Sequence, residues 1–236
     1  MQLTVKDVAN LLSVSEKTIY RWLKKGKLPV YRVGDHYRFN RSELLEWVTS
    51  RQISVSPDIF HEQENLHVPM HNLSEALTSG GIYYRIEGEN KESAIKNVVE
   101  LINLPPEVDK AFLLQILLAR EAMASTAVGD GIAIPHVRNP IVLHITEPIV
   151  SLCFLEKPID FNSLDGKPVN CLFTLISPTV KTHLYLLSRL AYALRDNSFR
   201  NIIKKQGSRE EIFSEIDRIE SNLKQHNAPV ETGGKN

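Results

Sequence analysis

Cysteine is scarce in this sequence, and long apolar runs are missing. Cys153 and Cys171 are the two cysteines among 236 residues, and each stands in an apolar segment typical of a buried strand. We therefore expect reduced, structural thiols and no disulfide. No apolar stretch is long enough to span a bilayer, and the segment after Met1 lacks the basic and then apolar order of a signal peptide. These absences predict a cytoplasmic protein without membrane insertion.

Nucleotide and metal signatures are also missing. The sequence contains no glycine-rich GxxxxGK[ST] loop, so any phosphoryl group that it handles is expected to come from another protein and not from ATP. His61, His67 and His71 lie close together in sequence, but no cysteine or carboxylate pair accompanies them. We therefore expect no metal site and no cofactor.

Net charge is balanced overall but not along the chain. The formal charge of +0 arises because residues 1–52 carry ten basic and five acidic side chains, a net +5, while the remainder carries a net −5. A basic segment joined to an acidic one predicts two modules, of which the first has a polyanionic partner.

The first module carries start and stop signals for two short helices. Thr4 and Asp7 have the spacing of a capping box, which predicts that a helix begins directly after Thr4. Ser15 is a favourable N-cap for a second helix that runs to Lys25, with Gly26 as its C-cap. Two short helices around a tight turn are typical of a helix-turn-helix.

The segment that follows predicts a β-hairpin and a third helix. Residues 28–33 and 36–39 read as strands around a Gly-Asp turn, and residues 44–48 supply apolar helix positions. With the run Val-Ser-Glu-Lys-Thr-Ile-Tyr-Arg-Trp, the segment resembles the excisionase/MerR-type winged helix-turn-helix. The resemblance implies that the second helix lies in the major groove of double-stranded DNA.

Six side chains are the candidate DNA contacts under this resemblance. They are Lys17, Thr18, Arg21 and Lys24 on the second helix, and Arg32 and Arg38 on the hairpin. Lysine and arginine neutralise phosphates, while side chains that reach the groove add sequence choice. A domain this small covers few base pairs, so we expect a homodimer or a neighbouring protein to complete the DNA site.

The rest of the chain predicts a linker and an α/β domain. Residues 53–72 hold few periodic apolar positions and read as a linker. Helices are predicted at 73–77, 91–104, 107–124, 182–194 and 209–223, and strands at 82–86, 149–155 and 169–176. This order predicts two domains: a small winged helix-turn-helix, mostly α with a β-hairpin, at 1–52, and an α/β domain with a mixed sheet flanked by helices at 73–224. Residues 225–236 are expected to be disordered.

One histidine is placed for chemistry in the second domain. His136 ends the octamer Gly-Asp-Gly-Ile-Ala-Ile-Pro-His. Proline fixes its own φ and favours an extended residue before it, so the His136 ring leaves the main chain in a defined direction where a strand meets a loop. A histidine in that position serves a structural role as readily as a reactive one, so these residues alone leave both open.

The octamer resembles the enzyme IIA proteins of the fructose/mannitol/nitrogen-regulatory class of the bacterial phosphotransferase system. The resemblance includes Arg120-Glu121, Ser125-Thr126 and the segment around His183, and it extends over about residues 73–223. It implies that His136 accepts a phosphoryl group from an HPr-like phosphocarrier protein, with His183 and Arg120 beside it. Ser125 and Thr126 are candidate contacts of the phosphoryl oxygens.

One stretch departs from that family. Val137-Arg138-Asn139-Pro140 follows the histidine, where many members have a glycine. We therefore expect that partner choice or transfer rate differs from the family norm.

Three functions stay open at this level. The first is a DNA-binding transcriptional regulator whose state follows the phosphorylation of His136. The second is a phosphocarrier in sugar uptake that passes the group to a IIB partner. The third is a nitrogen-type regulator that acts on other proteins by contact. The fused DNA-binding module favours the first, and the intact pair of histidines argues that phosphotransfer capacity is retained.

Overall fold

The computed structural model describes residues 2–26, 28–33, 36–40, 43–44, 47–48, 71–106, 108–137 and 145–226. The strands are β1 (Gln2–Leu3), β2 (Tyr31–Val33), β3 (His36–Asn40), β4 (Ile82–Ile86), β5 (Ala127–Gly129), β6 (Ile132–Ala133), β7 (Ile149–Ile159) and β8 (Val169–Ile176). The helices are α1 (Val5–Leu11), α2 (Glu16–Lys24), α3 (Leu73–Gly80), α4 (Lys91–Leu101), α5 (Lys110–Met123), α6 (Val180–Ala193), α7 (Asn197–Lys204) and α8 (Arg209–His226).

The N-terminal helices begin where their capping residues predict. Before α1, the Thr4 amide donates to the Asp7 carboxylate over 2.8 Å and the Asp7 amide donates to the Thr4 hydroxyl over 3.3 Å, which confirms the capping box. The hydrogen bonds from Thr4 hold the pKa of the Asp7 carboxyl below its ordinary value. The Ser15 hydroxyl caps α2, and Gly26 follows that helix at a φ of +60°, which glycine adopts without strain.

A small sheet completes the N-terminal domain. Strand β3 pairs antiparallel with both β1 and β2, so the order is β1-β3-β2 and the predicted hairpin is present. Residues 43–44 and 47–48 are helical, in agreement with the third helix, whereas the Gly34-Asp35 turn lies outside the described residues. Ile19 of α2 and Phe39 of β3 are fully buried in one apolar cluster with α1. This packing fixes the orientation of α2 relative to α1 and β3.

The second domain is built on a mixed sheet of five strands in the order β4-β7-β8-β6-β5. Pairs β4–β7 and β6–β8 are parallel, while β7–β8 and β5–β6 are antiparallel. Both faces are buried, because alternate residues of β7 and β8 enter two different clusters. Helices α4 and α5 cover one face, and α3, α6, α7 and α8 cover the other. The predicted two-domain layout and the mixed sheet flanked by helices are therefore confirmed.

Some predicted boundaries move. Helix α5 starts at Lys110, later than predicted, because the Asp109 carboxylate accepts from the first helical amides and caps it. Helix α6 starts earlier, at Val180, because Thr179 caps it. Helix α8 continues to His226, past its predicted end and into the segment expected to be disordered, and residues 227–236 lie outside the described residues.

Two further observations concern the linker and the length of the apolar helices. Residues 53–70 of the predicted linker, with His61 and His67, also lie outside the part of the chain that the structure describes. Within the described ranges, no helix has both the length and the apolar character that crossing a bilayer requires.

The two cysteines should be chemically inert in the folded chain. Both side chains are fully buried, and burial raises the pKa of the Cys153 thiol to about 12 and that of Cys171 well above its ordinary value. At pH 8 the thiolate fraction of Cys153 is then about 10⁻⁴, too small for alkylation. We expect iodoacetamide to leave both thiols unmodified in the native chain and to alkylate both in guanidinium, as read by intact mass. Rapid native alkylation would contradict the burial of these strands.

Candidate functional site

A tight turn leads the chain into the octamer. Gly129, Asp130 and Gly131 all have positive φ, at 89°, 53° and 79°, and connect β5 to β6. A Cβ at Gly131 would lie 3.0 Å from the Asn170 side chain, so glycine suits both the space and the backbone there. The Asp130 carboxylate forms ion pairs with Lys167 and with Arg200 of α7. These ion pairs hold the turn against α7 and against the segment that leads into β8.

The main chain then sets the orientation of the His136 ring. His136 forms a parallel bridge with Leu175 of β8, and the Leu175 amide donates to the Pro135 carbonyl over 3.0 Å. The ring nitrogen Nδ1 lies 2.8 Å from the Ile134 carbonyl oxygen. A carbonyl oxygen only accepts, so Nδ1 carries the proton and Nε2 presents its lone pair. The geometry therefore selects the tautomer with a nucleophilic Nε2.

A buried arginine faces that nitrogen. Arg120, in the last turn of α5, donates from Nε to His136 Nε2 over 3.3 Å and from Nη1 to the Ala124 carbonyl over 2.8 Å. Its side chain is 8% exposed, so its charge is screened less than that of a surface arginine. The second hydrogen bond fixes the guanidinium in place. A cation is therefore held where an anionic group on Nε2 would lie.

The second histidine lies beside the first. The ring centroids of His136 and His183 are 5.2 Å apart with an interplanar angle of 39°. His183 is on the first turn of α6, and its amide donates to the Thr179 carbonyl over 2.9 Å, so this amide serves the helix and the ring faces His136. The structure thus brings His136, His183 and Arg120 together from three separate elements.

The Ser125 and Thr126 hydroxyls make structural hydrogen bonds. Ser125 Oγ donates to the Phe161 carbonyl and accepts from the Ala127 amide, while Thr126 Oγ1 donates to the Glu121 carboxylate over 2.6 Å. These bonds hold the turn between α5 and β5. Contact of either hydroxyl with a phosphoryl group stays a prediction.

The candidate DNA contacts divide into two groups. Lys17, Arg21 and Lys24 on α2 and Arg32 on β2 are exposed. Two others are partly engaged, because the Thr18 and Ser15 hydroxyls lie 3.1 Å apart at the start of α2 and the Arg38 guanidinium donates to the Tyr37 carbonyl. Helix α2 therefore presents a basic, accessible face, and the roles of the individual side chains stay predictions.

Comparison with known families accounts for this arrangement. A family model described as the phosphoenolpyruvate-dependent sugar phosphotransferase system, EIIA 2, matches residues 75–219, more than half of the chain. The chain belongs to this family. A second family model, a helix-turn-helix domain, matches residues 3–52 ahead of the EIIA domain.

Relatives of the EIIA domain match segments of similar length in this chain. The nitrogen regulatory protein of Pseudomonas aeruginosa is 32% identical over 155 residues, which are 64% of this chain and 99% of that protein. The fructose-specific EIIABC component of Bacillus subtilis is 30% identical over 149 residues, 62% of this chain and 23% of that protein. The crystal structure of nitrogen regulatory protein IIA-Ntr from Neisseria meningitidis superposes with a TM-score of 0.54 at 28% identity and covers 61% of this chain and 98% of that one.

Two groups that support the EIIA site were not predicted from sequence. Glu121 is 5% exposed, and its carboxylate accepts from the Thr126 amide and hydroxyl and lies 3.6 Å from the Lys91 ammonium. The Ile134 carbonyl sets the tautomer of His136. The adjacency of Glu121 to Arg120 was a usable signal for the first. A main-chain carbonyl leaves no signal in sequence.

Proposed function

We propose that the chain is a DNA-binding regulator whose state is set by phosphoryl transfer from the phosphocarrier protein to His136. The observation that carries this proposal is the hydrogen bond from His136 Nδ1 to the Ile134 carbonyl, because it leaves Nε2 as the nucleophile. A neutral imidazole nitrogen with an adjacent cation is the arrangement that phosphoryl transfer to histidine requires.

The transfer step balances without a metal. The nitrogen–phosphorus bond of the phosphocarrier's phosphohistidine breaks, and its electron pair returns to the donor ring. The lone pair of His136 Nε2 forms the new nitrogen–phosphorus bond, and each ring keeps the proton on its other nitrogen. The ring that receives the group gains positive charge, which the Ile134 carbonyl stabilises through Nδ1–H.

Arg120 and His183 would hold the phosphoryl oxygens. The Nε–H of Arg120, which donates to His136 Nε2, would donate to an arriving phosphoryl oxygen once Nε2 is bonded to phosphorus. The His183 ring, 5.2 Å away between centroids, is close enough for a phosphoryl group on Nε2 to lie between the two rings. Charge spread over three oxygens is then met by donors that are already in place.

DNA binding is supported by the N-terminal domain. Residues 1–52 carry a net +5, and the exposed Lys17, Arg21 and Lys24 lie on the helix that follows the tight turn. A basic helix-turn-helix in one chain with a phosphoryl acceptor supports a regulator more than a pure sugar-uptake carrier. A phosphoryl group adds about −2 charge, enough to bias a two-state arrangement of the domains.

The test joins phosphorylation to DNA binding. Purified full chain is incubated with phosphoenolpyruvate, enzyme I and the phosphocarrier protein, and is then assayed by intact mass and by affinity for DNA fragments from its own genomic neighbourhood at stated salt. We expect a gain of one phosphoryl group together with a change in DNA affinity. Uptake without a change in affinity would favour a carrier for a IIB partner or a regulator that acts by protein contact. Absence of uptake would refute the proposal.

The DNA-binding face can be tested separately through salt dependence. Arg21→Ala should lower the slope of log affinity against log salt by about 1, because one phosphate contact is lost. Lys6→Ala removes an exposed charge from α1, outside the proposed face, and should leave the slope unchanged. Fluorescence anisotropy over a salt series measures both slopes. Equal slopes for the two variants would remove α2 from the DNA interface.

A further inference from the structure

Helix α6 is buried on two sides. Leu186, Leu187 and Leu190 pack into the cluster between this helix and the sheet. Leu184 is also buried, at 7% exposed, but it belongs to the apolar cluster of the helix-turn-helix domain. At 3.6 residues per turn, Leu184 points roughly 160° around the helix from Leu186. One face of α6 therefore covers the sheet, and another contacts the N-terminal domain.

This contact between domains lies beside the phosphorylation site. Leu184 directly follows His183, whose ring is the neighbour of His136. His136 is 3% exposed and His183 is 1% exposed. Transfer requires the phosphorus to come within about 3–3.5 Å of the acceptor nitrogen, and a ring that is covered to this degree does not admit a second protein. The arrangement with the domains in contact is therefore closed to the phosphocarrier protein.

We propose that the helix-turn-helix domain docks on the phosphorylation face of the EIIA domain through Leu184, and that phosphoryl uptake requires this docked state to open. The identity of the excluded protein rests on the proposed function, whereas the docking does not. The two domains carry opposite net charges, +5 for residues 1–52 and −5 for the remainder, which favours their association. Docking and access to His136 exclude each other. Binding of the phosphocarrier protein therefore weakens docking by the same factor by which docking weakens that binding.

The docked state leaves the basic face of α2 open. Lys17, Arg21 and Lys24 remain exposed while Leu184 is covered. The docked arrangement thus combines two covered histidines with an open proposed DNA face. A phosphoryl group of about −2 charge beside the apolar contact loses hydration on docking, and where this cost exceeds the attraction to the basic residues 1–52, phosphorylation releases the domain. Release would change the orientation and mobility of α2. It would not change the exposure of its basic face, which is already open in the docked state.

The first arm of the test measures docking without any phosphotransfer component. Full-length wild type, Leu184→Asp and Val180→Asp are treated with diethyl pyrocarbonate, and modification of His136 and His183 is followed by peptide mass spectrometry. Burying a carboxylate at the contact is unfavourable, so Leu184→Asp should open the docked state and raise the modification rate about tenfold or more. Val180 is one turn earlier on α6 and 38% exposed, so Val180→Asp controls for the added charge and should match wild type.

The second arm measures phosphoryl uptake at limiting phosphocarrier protein. Leu184→Asp should accept the group about tenfold faster than wild type and Val180→Asp, and Leu184→Ala should show a smaller gain in the same direction. Circular dichroism checks that each variant is folded. Equal histidine modification in folded wild type, Leu184→Asp and Leu184→Ala would overturn docking, whatever the uptake. Faster modification in Leu184→Asp with no uptake by any variant would uphold docking and refute phosphotransfer as the function.

Discussion

His136→Gln will take up no measurable phosphoryl group from the phosphocarrier protein. Glutamine keeps a hydrogen-bonding side chain of similar reach but has no nucleophilic ring nitrogen, so the new nitrogen–phosphorus bond cannot form. The rate should fall at least about a thousandfold, the scale expected when an essential nucleophile is removed. Intact mass after incubation with phosphoenolpyruvate, enzyme I and the phosphocarrier protein measures the stoichiometry.

The matched control is the same substitution at an exposed histidine. His36 lies on β3 of the N-terminal domain, and its side chain is exposed. His36→Gln should accept one phosphoryl group as the wild type does. If His136→Gln were phosphorylated at the wild-type rate, the acceptor would be another residue, and the proposed role of His136 would fail. His183→Gln, which keeps a donor beside His136, should slow transfer and not abolish it.

Arg120→Met should lower the single-turnover rate of transfer about a hundredfold or more. Removal of one preorganised donor from a buried oxyanion-binding site has an effect of this order in enzymes. Here the substitution removes both the charge and the donor that faces His136 Nε2 over 3.3 Å. Arg120→Lys restores the charge without the planar fork and should recover only part of the rate. Rapid-quench measurement at saturating phosphocarrier protein separates transfer from binding.

Stability and charge need separate controls in that experiment. The Ala124 carbonyl loses its donor in Arg120→Met, which costs about 1–3 kcal/mol of folding free energy if no water replaces it. Thermal melting therefore accompanies each rate. Arg218→Met removes a half-exposed arginine that pairs with Asp196 and Glu215, away from His136, and should transfer at the wild-type rate. An equal loss in Arg218→Met and Arg120→Met would mean that overall charge, and not the site, sets the rate.

Elements bounded by clear turn or cap residues were predictable from sequence, and elements without such signals were not. Strands β4 and β8 were predicted with their observed ends, because their apolar residues are flanked by turn residues. Helix α7 was not predicted. Its apolar residues Phe199, Ile202 and Ile203 do have helical spacing, but they span little more than one turn. Strands β5 and β6 are also short, and their pairing depends on three residues of positive φ, Gly129 at the end of β5 and Asp130 and Gly131 in the turn.

The residue types of the site were predictable, but its hydrogen bonds were not. Residue spacing does not show that His136 and His183 meet. Their proximity arises because the main chain at His136 runs beside β8 and α6 follows that strand directly. The resemblance to the enzyme IIA family had already implied that the two histidines are neighbours. Glu121 was missed because a glutamate near a helix end is usually solvated, and only the fold shows that it accepts from the Thr126 amide and hydroxyl.

The hydrogen bond between His136 Nδ1 and the Ile134 carbonyl also determines which isomer of phosphohistidine can form. With the pros nitrogen committed to the main chain, a phosphoryl group taken up here would form the tele isomer. Because the carbonyl that holds the ring belongs to the residue two positions earlier, the exit direction of the group is set by backbone geometry and not by a side-chain rotamer. The bond that selects the nucleophile would thus also aim the phosphate.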